Sequence, residues 1–252
     1  MIIKFGDLTY QEIAEKASQG VLAIVPTGCT EQQGPHLPVD FDTWFVEQVC
    51  IESANVAAAK YNVQALVLPV TPFGPTPEHR NYGSGYIDIS QSIFTALVHS
   101  ILTSLAQQGF RRIIVWRGCG GHQLTEVIQQ FNKAQQGKVK AFLPDWPYHD
   151  IWRRIGDPNV AGGHADSFCT SIALCLRPNA VRRDKIKDPV SLPVDWSDPN
   201  LDFTHYSQTG VIGDPTYATA ELGATLWHEI IETVALIIRK IALDSTTYKE
   251  KA

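Results

Sequence analysis

The stretch that decides the fold runs from Gly20 to Asp42, GVLAIVPTGCTEQQGPHLPVDFD. Its first part is a short apolar run, strand-like in length and rich in β-branched and aliphatic residues. Its second part is a loop punctuated by Gly28, Gly34, Pro35 and Pro38, with Glu31, His36, Asp40 and Asp42 packed into it. The same alternation recurs at QALVLPVTP (64–72), RRIIVWRG (111–118) and KVKAFLP (138–144). Each reads as a strand buried on both faces. Residues 43–60, 90–108, 122–136 and about 217–243 carry helical spacing of apolar side chains. Strand, helix and strand in repetition imply an α/β fold with a parallel sheet and helices on both sides.

Ligands of such sheets gather beyond the carboxyl ends of the strands. Three of these strand ends run into polar, glycine-bearing turns: PTGCTEQQGPHLP, PFGPTPEHRNYGSGY and RGCGGHQ. A fourth, PDWPYHD, adds Trp146 between two prolines. These loops are expected to converge on one pocket.

The chain has 252 residues, 44% hydrophobic and 19% charged, which fits a single domain over 1–252 with a full core. Its net charge, 21 − 26 = −5, leaves no footprint for nucleic acid or an anionic membrane, so a small-molecule partner is expected. No apolar run approaches the roughly 18 residues of a membrane span. The first residues lack a signal-peptide pattern, so a cytoplasmic protein is the expectation. Five unclustered cysteines argue against a disulfide framework.

Glu31 and Asp42 offer two oxygen ligands to a divalent cation across a rigid loop. The alternative is that Asp42 caps the following helix while Glu31 is solvated. His36 is read either as a structural hydrogen-bonder or as a ligand. Cys119, between Gly118 and Gly120 at a strand-to-helix turn, loosely resembles a nucleophile elbow with Cys for Ser. Helix-start amides there would lower a thiol pKa, although an inert buried cysteine fits equally. GGHADSFCTS supplies His164, able to move protons near neutral pH, with Asp166 and Cys169. There too, a bland account makes Asp166 or Ser167 a helix cap and Cys169 core. GDPTYATAELG reads as a turn and a close-packed helix start.

Together PTGCTEQQGPHLPVDFD, EHRNYGSGYIDIS, RGCGGH, GGHADSFCTS and GVIGDPTYATAELG resemble the creatininase (creatinine amidohydrolase) family, which also includes formamide-type deformylases and mycofactocin-peptide peptidases. The likeness runs over most of the chain. It implies a three-layer αβα sandwich and a two-metal site at the strand ends, often within hexamers. In such a site the metals polarise an amide carbonyl and a histidine passes a proton to the leaving nitrogen. Glu31 and Asp42 match two of the family's metal ligands, and His164 its proton-transfer histidine.

Three positions depart from the pattern. The family's E-Q-H-G reads EQQG here, placing Gln33 where a histidine ligand belongs. N-G-H-G-G-N reads RGCGGH, so Cys119 replaces a second histidine, with Arg117 and His122 for the flanking asparagines. H-A-G-x-x-E-T-S reads HADSFCTS, so Cys169 replaces a glutamate. The expected metal set is therefore Glu31, Asp42, Cys119 and Cys169, with Zn²⁺ favoured for its acceptance of thiolate and Mn²⁺ or Fe as alternatives, one or two per chain. Gln33, His36, His122, Trp146 and Asp166 would line the substrate side. The resulting expectation is a homo-oligomeric hydrolase of a small-molecule C–N bond, with His164 as acid/base. Two rivals stand beside it. One is a metal-independent enzyme with Cys119 as nucleophile and His122 or His164 as base. The other is a non-catalytic relative without metal that binds a metabolite or serves as a subunit.

Overall fold

The computed structural model describes residues 3–157, 160, 162–188 and 192–244. Four parallel strands form its sheet: β1 (Leu22–Thr27), β2 (Ala65–Val67), β3 (Arg112–Arg117) and β4 (Lys140–Phe142), in the order β2-β1-β3-β4. Among the described residues the seven α-helices are α1 (Tyr10–Ser18), α2 (Phe41–Tyr61), α3 (Gln91–Gln107), α4 (Thr125–Gln135), α5 (Tyr148–Ile155), α6 (Ser167–Leu176) and α7 (Ala220–Ala242).

Alternate side chains of each strand enter different cores, as the two-residue period of a strand requires. Leu22, Ile24, Ala65, Val67, Ile114 and Trp116 face α2, α6 and α7. Ala23, Val25, Leu66, Ile113, Val115 and Ala141 face α1, α3 and α4. The expected three-layer sandwich follows from this double burial. Among the described residues, no helix is long and apolar enough to cross a membrane.

The four expected strands and four expected helices are all present. α4 begins at Thr125 rather than at residue 122, because Gly120, Gly121 and His122 form a turn against the end of the sheet. α1 and α5 are additional helices that bury only Ala17 and Ile151 respectively, too little apolar signal for periodicity to register. The reading of GDPTYATAELG is also met: a Cβ on Gly223 would stand 2.0 Å from the Ser171 oxygen, so α7 lies directly on α6.

Successive strands depart to opposite sides of β1, since β2 pairs on one flank and β3 on the other. That reversal opens a crevice beyond the carboxyl ends of β1 and β3. Gly28, just past β1, closes its floor: a Cβ there would lie 2.5 Å from the Thr43 Cα. The first turn of α2, with Asp42, is thereby brought against the β1 loop. Gly28→Ala is expected to cost about 1–3 kcal/mol by overpacking, measured as a lower urea midpoint. Gly20→Ala, at φ +76 with nothing within 4 Å, should cost only about 1 kcal/mol of backbone strain. Equal losses would mean that the Gly28 contact does not place α2.

Candidate metal centre

The loop after β1 turns at Gly28 and sends Cys29 and Glu31 inward. Cys29 is fully buried and Glu31 is 2% exposed. Asp42 arrives from the first turn of α2, and Cys119 from the turn after β3. The ligand atoms of Cys29, Glu31, Asp42 and Cys119 all lie within 4.8 Å of one another. Two further groups adjoin this one: Cys29, Cys119 and His122 on one side, and Glu31, His79 and His164 on the other.

Burial disfavours every charge in this cluster. It raises Glu31 to about 7, with the Glu78 charge adding to the rise and a hydrogen bond from Asp42 opposing it. Asp42 is raised well above the usual carboxylate range, first by burial and then by the Glu31 charge. Cys29 is also pushed far up by burial. Contact with Cys29 lowers Cys119, but burial and the neighbouring acids outweigh it and leave that thiol at about 12. Two carboxyls and two thiols at one point can shed their protons together only if a cation replaces them. Sulfur and carboxylate donors in a compact group of four fit tetrahedral Zn²⁺.

The two oxygens of Glu31 face different neighbours. Oε2 is 3.7 Å from the Cys119 Sγ. Oε1 accepts from the Gln33 amide at 3.3 Å and lies 3.4 Å from His79 Nε2 and 3.6 Å from His164 Nδ1. Gln33, 1% exposed, therefore reaches the site as a donor to Glu31, and its own Oε1 has no partner among the described residues.

His164 is held by a two-residue antiparallel bridge with Ile212, and Ala165 beside it adopts φ +53. Its Nε2 meets the Gln32 carbonyl oxygen at 2.7 Å, leaving Nδ1 toward Glu31. Burial and the neighbouring His79 hold His164 at about 3. His122 is fully buried, with Nδ1 3.0 Å from the Thr27 hydroxyl and Nε2 3.1 Å from the Cys29 Sγ. Trp146 walls the turn: its Nε1 donates to the Arg117 carbonyl oxygen at 2.8 Å, and a Cβ on Gly120 would meet its ring at 3.8 Å.

Several sequence expectations change here. Asp42 does not cap α2, whose N-cap is Asp40, and Glu31 is not solvated. Cys169 belongs to none of the three ligand groups found among the described residues. It sits in the first turn of α6, packed on the main core, and Cys29 occupies the fourth place instead. Asp166 stands at the N-terminus of α6. It caps α6 by accepting from the Cys169 amide at 3.1 Å, and it also accepts from the Gly163 amide at 2.9 Å. His36 is fully buried and meets the Thr170 hydroxyl at 2.8 Å, as the structural reading of it expects.

Burial weighs against the nucleophile reading of Cys119. Its thiol stands six residues before α4, away from the helix-start amides, and is held largely protonated. His122 Nε2 is 3.1 Å from the Cys29 Sγ and shares a compact group with Cys119, while His164 Nδ1 faces Glu31. Cys29 and His79 are the residues that spacing did not single out. Cys29 was marked only by its place two residues before Glu31, and His79 only by the glutamate preceding it.

The family described as creatinine amidohydrolase (Creatininase) matches residues 6–238. A mycofactocin precursor peptide peptidase of Mycobacterium tuberculosis is 27% identical over 250 residues, covering 94% of this chain and 91% of that protein. A creatinine amidohydrolase of Pseudomonas putida is 23% identical over 256 residues, covering 93% and 95%. Among solved structures, a creatininase variant of the Zn-Zn type superposes with a TM-score of 0.82 at 22% identity, covering 95% and 98%.

The neutral histidines make a measurable contribution away from the cluster. Burial lowers His36 from 6.5 to about 4. The unfolded chain therefore takes up its proton first, so this stability is present above pH 6.5 and is lost as pH falls toward 4. A shift of 6.5 − 4 = 2.5 is worth about 3 kcal/mol. Urea unfolding of His36→Asn between pH 7 and 4 should show a slope shallower by up to that amount. An unchanged slope would mean that His36 is not held neutral.

Proposed function

The chain belongs to the creatininase family, and on that premise we propose that it is a metal-dependent hydrolase of an amide or cyclic amide C–N bond in a small molecule. The observation that carries the reading is the convergence of Cys29, Glu31, Asp42 and Cys119, from three elements, at the crevice between β1 and β3. Zn²⁺ is the metal this donor set favours, held by those four residues. When bound, it would supply Lewis-acid polarisation of a carbonyl oxygen, provided that one of the four donors yields its place or the metal accepts a fifth ligand.

The chain's own residues supply the rest. His164 is the proton carrier, working through Nδ1 because its Nε2 proton is committed to the Gln32 carbonyl. Held neutral by burial, it takes a proton from the water that attacks the carbonyl carbon and passes it to the leaving nitrogen as the C–N bond breaks. Gln33 fixes the Glu31 carboxylate from behind. Trp146 flanks the turn bearing Cys119 and forms an apolar wall.

A small amide rather than a macromolecule fits the enclosed cluster and the absence of a basic surface bias. The named substrates of the relatives, a precursor peptide and creatinine, differ enough that neither transfers to this chain. We read the protein as cytoplasmic and as a homo-oligomer, with Ile93 and Leu97 exposed along α3 as apolar surface available for assembly.

Elemental analysis of the purified protein should find Zn²⁺ that is lost in Asp42→Ala and much weakened in Cys29→Ser, while Cys169→Ser retains it. On a panel of linear and cyclic small amides, His164→Gln should lower kcat by about 10²–10⁴-fold. Metal-replete protein that binds none would sink the proposal. Bound metal with no turnover of any amide would favour a non-catalytic role.

A further inference from the structure

Gln32, adjacent to the ligand Glu31, is not itself near the four donor atoms, yet it touches both histidines that flank them. Its side chain is 8% exposed and is fixed at both ends. Oε1 accepts from the Gly34 amide at 2.9 Å, and Nε2 donates to the Gly210 carbonyl oxygen at 3.2 Å. Backbone N–H and C=O groups cannot exchange these roles, so the two ends of the amide are assigned without ambiguity. Gly210 is shaped for this contact. It sits at φ +82, and a Cβ there would overlap the Gln32 amide at 2.0 Å.

The second proton on Gln32 Nε2 points at His79 Nδ1, 3.0 Å away. That nitrogen must accept, so it carries no proton, and the ring is neutral with its proton on Nε2. Burial acts in the same direction on His79. Nε2–H then aims at Glu31 Oε1 at 3.4 Å and Glu78 Oε1 at 3.7 Å, and no hydrogen bond satisfies it among the described residues. His164 is fixed the other way. The Gln32 carbonyl takes its Nε2 proton, so a bare Nδ1 faces the same carboxylate.

We propose that this centre is built for one metal ion, not two, and that Gln32 is the positioning residue that makes it so. The group Glu31, His79 and His164 has the composition of a second metal site. His79 cannot serve it, because the nitrogen that faces Glu31 carries a proton and not a lone pair. Instead the Gln33 amide donates to Glu31 Oε1, with the His79 Nε2–H turned toward the same oxygen at 3.4 Å, and Oε2 is left on the side of Cys119. A ligand held in this way by outer hydrogen bonds binds with its orientation already set.

This inference rests on the four-residue metal site, but its test separates the two. Histidine-selective ¹⁵N NMR reads the tautomers of His79 and His164 in metal-free and Zn²⁺-loaded protein, without substrate. Both rings should be protonated at Nε2, and His79 should stay so on loading, with one Zn²⁺ bound per chain. Gln32→Glu replaces the donor by an acceptor, so His79 should switch to the Nδ1–H form and a second Zn²⁺ should bind. His164 should keep its tautomer there, because a backbone carbonyl sets it. Gln32→Met, which neither donates nor accepts, should give a mixture of His79 tautomers if Gln32→Glu does not fold.

An Nδ1–H or cationic His79 in the wild type would overturn the inference. So would two Zn²⁺ per wild-type chain with His79 ligated, or a His79 tautomer indifferent to both substitutions. No metal binding in any form, with the tautomers as expected, would count against the four-residue site and not against the lock.

Discussion

Four groups that each lose by being charged in a dry interior, the carboxyls of Glu31 and Asp42 and the thiols of Cys29 and Cys119, have been driven into one small volume. Everything around them is arranged by that conflict. Left to themselves they keep protons, which is why Glu31 sits near 7 and the other three are likewise raised above their ordinary values. A divalent cation resolves it by replacing the protons with one compact charge, and two thiolates then bias the choice toward Zn²⁺. The fold makes the crowding unavoidable. The parallel strands β1 and β3 end side by side, Gly28 lets α2 press on the loop, and the segments after the strands have nowhere else to turn.

The shell around this point is made of neutral histidines. His36, His79, His122 and His164 are all buried, and burial lowers each of them. Their roles differ only in which nitrogen is committed elsewhere. His36 bonds to Thr170, and His122 sits between Thr27 and Cys29. His79 and His164 are set in complementary fashion by a single residue. A hydrolytic centre gains from such fixed tautomers, because the proton is already on the correct atom when the substrate arrives.

The sheet and the long helices were legible because burial on both faces leaves continuous apolar runs, and a two-layer contact leaves a helical stripe. Glu31, Asp42, Cys119 and His164 were legible as family positions. Cys29 was not, because a residue that joins the donor group need not stand at a position where the family carries a ligand. Cys169 replaces the family glutamate in sequence, yet the first turn of α6 keeps it against the core, while Cys29 reaches the cluster from β1. Asp166 and His36 carried residue types suited to chemistry, but cap geometry and a buried hydroxyl partner absorbed them. His79 lies 48 residues from Glu31, and only the folded chain makes them neighbours.

The central claim is that a member of a family with histidine ligands has moved its metal onto sulfur. Zn K-edge X-ray absorption on the loaded protein addresses it directly. Two sulfur scatterers at about 2.3 Å, completed by oxygen, are expected from Cys29, Cys119, Glu31 and Asp42. A first shell of nitrogen and oxygen alone would contradict it.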